Sequence, residues 1–153
     1  MLFRSDLQGG NFSVGNASTG TYLVFGNAGS FVGTQSGGNL LVVRPSNPAL
    51  FLGEEGSQGG TFSYTQSGGT LTVAGNTIVG GRTGASATYA LSAGTASFQQ
   101  GLILGLQDYA QGTFTQTGGT VSVGTGVNIG DNNYLKGNNT IGLVLAFNQR
   151  SEE

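Results

Sequence analysis

Carboxylates are the only side chains in this chain that could run acid–base chemistry. The sequence has no histidine and no cysteine. That excludes nucleophilic triads built on histidine, histidine acid–base catalysis, and zinc sites of imidazole or thiolate. The acids are Asp6, Glu54, Glu55, Asp108, Asp131, Glu152 and Glu153. Paired acids can hydrolyse glycosidic bonds when their separation suits. Glu54, Asp108 and Asp131 each fall one to three residues after the same short motif, apolar–x–apolar–Gly, and Glu55 stands beside the first of them. Such spacing would set them along one edge of a repeated structure, as a groove for a glycan or a calcium ion. The plainer account is solvated corner residues that add solubility.

Two further motifs invite chemistry and do not support it. Asp131-Asn132-Asn133 offers oxygen ligands but lacks the dense nonapeptide pattern of calcium-binding β-rolls. GGRTG, from Gly80 to Gly84, lacks the Lys-Ser/Thr and the following helix that a phosphate loop requires, and reads as a corner carrying Arg82. No catalytic residue, metal or cofactor is expected. With one lysine, four arginines and a net charge of −2, no basic stripe exists for nucleic acid. No apolar run reaches the ~18 residues of a membrane helix, so no membrane insertion is expected.

The elements that would position these residues come from an internal repeat. A small pair ending in Gly, then a polar residue and apolar–x–apolar, recurs as GGNFSV, GGNLLV, GGTLTV, AGTASF and GGTVSV. The second residues of the pairs are Gly10, Gly38, Gly69, Gly94 and Gly119. The apolar–x–apolar–Gly motif ends at Gly26, Gly53, Gly80, Gly105 and Gly130. A third motif, TQS or TQT, precedes three of the pairs, and ALS stands in the fourth place at Ala90; Tyr64, Tyr89 and Phe114 run with it at intervals of 25.

Three motifs in one phase mean a repeated unit. Glycine fills 30 positions, apolar residues make up 37% and charged residues 8%, which suits neither collagen nor disorder. Alternation at period two means strands with one buried face. Gly and Asn at the junctions supply tight corners. The pattern predicts an all-β, three-sided parallel β-solenoid (a β-helix) of about five coils of ~25 residues, forming one domain over 1–153. Leu71, Ala96 and Val121 should stack inside, as should Val73, Phe98 and Val123, and Val79, Leu104 and Ile129, with Thr72, Ser97 and Ser122 outside. Gln35, Gln66 and Gln116 are expected to bond neighbours or lie outside. Thr65 and Thr115 invite an ice-binding ladder, which Ala90 interrupts. Residues 44–60, which hold both prolines, read as an insertion loop that rejoins the ladder at Ala49–Gly53, and 134–147 as a degenerate last coil or strand.

GTFTQTGGTVSVGTGVNIG, Gly112 to Gly130, resembles the Gly/Thr-rich β-helical repeats of bacterial PEP-CTERM-sorted and autotransporter-type surface proteins. The likeness is good over Gly59–Asn133 and looser over Gly9–Gly53. It implies an extracellular or cell-surface β-helix, stalk-like or adhesive, and brings no catalytic residues with it. A solenoid leaves unpaired backbone groups on its end coils. Leu2 and Phe3 at one end, and Ile141, Leu143, Leu145 and Phe147 at the other, read as an assembly interface through which copies join head to tail. The alternative is an adhesin or glycan-binding module of a larger surface protein or phage-like spike, with Glu54, Glu55, Asp108 and Asp131 as its ligand edge.

Overall fold

The computed structural model describes residues 2–15, 22–26, 29–44, 48–54, 60–107, 109–130 and 142–145. Among them there are strands and turns but no helix. Each coil contributes three strands. Coil one holds β1 (Leu2–Leu7), β2 (Asn11–Val14) and β3 (Leu23–Phe25). Coil two holds β4 (Ser30–Gln35), β5 (Asn39–Val42) and β6 (Leu50–Leu52). Coil three holds β7 (Thr61–Gln66), β8 (Thr70–Val73) and β9 (Thr77–Val79). Coil four holds β10 (Ser86–Leu91), β11 (Thr95–Phe98) and β12 (Gly101–Leu104). Coil five holds β13 (Gln111–Gln116), β14 (Thr120–Val123) and β15 (Gly126–Ile129), and β16 (Gly142–Leu145) follows.

Strands stack only with their equivalents in the next coil. The first sheet runs β1-β4-β7-β10-β13-β16, the second β2-β5-β8-β11-β14, and the third β3-β6-β9-β12-β15. Every pairing is parallel. The chain is a three-sided parallel β-solenoid. The three interior columns expected from the repeat stand in register: Leu71, Ala96 and Val121; Val73, Phe98 and Val123; Val79, Leu104 and Ile129. After the prolines, Leu50–Leu52 is back on the ladder, paired with β9.

Glycine makes the corners. Gly10, Gly38, Gly69, Gly94 and Gly119 all have positive φ, as do Gly26, Gly53, Gly80, Gly105 and Gly130. Stacking adds a second demand. A Cβ on Gly69, at φ +69, would stand 2.4 Å from the Gly38 carbonyl oxygen of the coil before it.

The core is a narrow prism in which side-chain bulk trades between sheets. Coil three fills it with Phe62 and Tyr64 from the first sheet. Coil four places Ala87 and Ala96 in the equivalent columns of the first and second sheets, and Phe98 takes up the space, edge-on to Tyr89 at 5.9 Å. In coil two the Tyr64 position is Gly33, and the Phe25 ring stacks on both Phe31 and Tyr64 beside it.

Two features go beyond the sequence expectation. Of the two places open to them, Gln35 and Gln66 take the one bonded to neighbours, and both are fully buried on the inner face of the first sheet. The amide is tolerated there because all its polar atoms are matched. Gln66 Nε2 donates to the Gly69 carbonyl at 3.2 Å and to the Thr95 carbonyl of the next coil at 3.0 Å, while its Oε1 accepts from Tyr89 Oη. Gln35 repeats the set with Gly38 at 3.2 Å, Thr70 at 3.1 Å and Tyr64 Oη at 2.8 Å. The third sheet is also apolar on its outer side. Phe51 and Ile78 stand in one outward row with Val24 and Ile103, yet both are buried. The Tyr22 ring packs against Phe51 at 5.7 Å.

Candidate functional site

The residues singled out by the sequence fall in two kinds of place, a corner of the third sheet and the two end coils. The corner is built by coils one, two and three. Glu54 follows the φ-positive corner Gly53 and has a buried side chain, 11% exposed. Its Oε1 accepts from Tyr22 Oη at 3.2 Å and lies 3.9 Å from an Arg82 guanidinium nitrogen. The Arg44 guanidinium sits over the Tyr22 ring, 5.3 Å from its centroid. Such partners offset the cost of burying a carboxyl group. The GGRTG turn is thus a corner whose arginine ties coil three to coil two. Glu55, Asp108 and Asp131 lie outside the described residues. Of the four acids proposed to share an edge, Glu54 alone is placed, and its carboxylate is engaged by its own chain.

The end coils differ sharply from the interior ones. In the second sheet, Phe12 of coil one is 54% exposed, whereas Leu40, its equivalent one coil on, is 4% exposed. In the third sheet, Val127 and Ile129 of coil five are 44% and 45% exposed, against 2% and 0% for Leu102 and Leu104. These are core columns that stop without a neighbour among the described residues. At the mouth of coil one lies a cavity of about 150 Å³, lined by Leu7, Phe12, Phe25, Phe31, Leu40 and Tyr64, with Asp6 and Thr34 at its rim. Thr34 Oγ1 and Gln8 Nε2 donate to the Asp6 carboxylate at 2.6 and 2.7 Å, and these bonds hold its pKa below the ordinary value.

Of the proposed interface residues, Leu2 and Phe3 belong to the edge strand β1, and Leu143 and Leu145 to β16 at the opposite edge of the same sheet. Ile141 and Phe147 lie outside the described residues. The end residues that sequence reasoning missed are Phe12, Val127 and Ile129. They carry the ordinary interior signature, and only their place in the first and last complete coils marks them. No family model, curated protein or solved structure matches this chain.

Proposed function

We propose that this solenoid is a structural, non-enzymatic subunit that stacks end to end into an extracellular fibre or surface layer. The observation that carries the reading is three unroofed core columns, that of Phe12 at one end and those of Val127 and Ile129 at the other. Both ends present ladder edges of one coil geometry, so each is a template for the other. A contact of this kind is head-to-tail and continues unless rotation closes it. Burying one such side chain contributes about 1.5–3 kcal/mol. Sedimentation velocity over a concentration series tests the reading. The chain should sediment faster as concentration rises, and Phe12→Asp should stay a single species with an unchanged β-type circular dichroism spectrum. Concentration-independent sedimentation of the parent chain contradicts it.

A glycan-binding module of a larger surface protein is the second reading. Its support is the partly exposed Tyr22, hydrogen-bonded to Glu54 with Arg82 beside that carboxylate, an aromatic ring set among polar groups. Glycan-array binding lost on Tyr22→Ala favours that reading over the first.

A further inference from the structure

We propose that the exposed edge of coil five receives coil one of a second copy in the same register that joins successive coils, with the incoming β1 replacing β16 on β13. This rests on the end-to-end reading above and adds the register, the contacts and a strand exchange.

The first argument is an incomplete hydrogen-bond set. Gln35 and Gln66 each make three bonds: one to a carbonyl of their own coil, and two to a carbonyl and a phenol of the coil that follows. Gln116 occupies the same column, and its Nε2 donates to the Gly119 carbonyl of its own coil at 3.1 Å. Among the described residues it makes neither bond to a following coil. The carbonyls that serve Gln35 and Gln66 belong to Thr70 and Thr95, which stand in one column with Asn11, Asn39 and Thr120. A second copy stacked in register brings its Asn11 carbonyl to the place, next to Gln116, that the Thr70 and Thr95 carbonyls hold next to Gln35 and Gln66.

The second argument is continuity of the core. In that register Val121 meets the second copy's Phe12, and Ile129 meets its Phe25. The columns that end at Val121 and Ile129 then continue into the second copy, the exposed Phe12 and Ile129 each gain a neighbour, and the cavity at the mouth of coil one gains a roof.

The third argument fixes β16. The incoming β1 needs the edge of β13, which β16 holds through four paired positions, Thr113 with Gly142 to Gln116 with Leu145. β1 pairs six positions with β4. Both strands need the same edge, so in the stacked form the incoming β1 stands where β16 stands in the single chain.

Cysteine cross-linking tests this on the full chain, which has no cysteine of its own. Ser13, Leu41, Thr72, Ser97 and Ser122 form one outward column, and the Ser97 and Ser122 hydroxyls, one coil apart, are 3.2 Å from each other. Stacking in register puts the second copy's Ser13 one coil from Ser122, within disulfide reach. Inside one chain the two are four coils apart, ~19 Å at ~4.8 Å per coil, and cannot bridge. Oxidised Ser13→Cys/Ser122→Cys is expected to give a ladder of covalent oligomers on a non-reducing gel, and the offset control Ser13→Cys/Thr120→Cys to give none. Val144→Pro, which weakens β16, should lower the concentration at which the parent chain assembles. Oligomers that sediment but do not cross-link overturn the register and leave the end-to-end reading standing. An equal or higher assembly concentration for Val144→Pro overturns the exchange. No oligomer at any concentration overturns both readings.

Discussion

Gln66 and Tyr89 form a buried pair whose logic is visible one coil later. There Leu91 replaces the glutamine, and Phe114 of the following coil replaces the tyrosine. Amide and phenol come and go together because either alone leaves a buried polar group unmatched. Gln66→Leu should therefore destabilise the chain by about 1–3 kcal/mol by orphaning the Tyr89 hydroxyl. Gln66→Leu/Tyr89→Phe, which copies the Leu91 and Phe114 pair, should recover most of that loss in a urea double-mutant cycle. Strict additivity of the two single losses contradicts the coupling. The same tyrosines give an alkaline limit. Burial raises the pKa of Tyr64, and burial followed by repulsion from Tyr64 raises that of Tyr89. In the unfolded chain these phenols ionise near pH 10. The stabilisation from keeping them neutral is complete below that pH and is lost as pH rises above it. Unfolding free energy should fall above about pH 10. In a Tyr22→Phe/Tyr109→Phe/Tyr134→Phe background, which leaves Tyr64 and Tyr89 as the two tyrosines, tyrosinate absorbance should appear together with unfolding, and tyrosinate forming while the β-signal is intact contradicts this. The sequence placed these glutamines in phase with the tyrosines but left their side of the strand open, because an amide is ordinarily a surface residue. What brings it inside is a donor from another coil, 23 residues away in the case of Tyr89.

At the scale of the element, corners and strands were legible for a simple reason. Alternation selects strands, and only glycine combines positive φ with room for the coil stacked against it. Gly69→Ala should cost about 1–3 kcal/mol through backbone strain, with the Gly38 carbonyl adding steric conflict. Gly9→Ala meets nothing within 4 Å and should be nearly neutral. Thermal melts of the two variants separate them; equal midpoints contradict the stacking argument. The outer apolar row of the third sheet was overlooked although its signal is present. The middle residue of apolar–x–apolar–Gly is Val24, Phe51, Ile78 and Ile103 in four of its five occurrences. The polar middle residues of the second sheet, Thr72, Ser97 and Ser122, gave no hint that the third side is covered, as Tyr22, just before β3, covers Phe51.

For the whole molecule, the repeat made the direction of stacking legible, since equivalents one period apart had to lie in adjacent coils. The shared acidic edge was less legible. Spacing after a corner glycine places a carboxylate at an edge but does not reveal its partners, and Glu54 is bound by Tyr22 and Arg82. The ends were legible only in part. Apolar residues near the termini pointed to them, yet the exposed columns are Phe12, Val127 and Ile129. Continuation of the ladder through these columns is the central claim, and negative-stain electron microscopy of the purified chain across a concentration series tests it most directly. The expected images show thin, uniform fibres one solenoid wide, lengthening as concentration rises and absent for Phe12→Asp. Single small particles at every concentration would contradict end-to-end assembly.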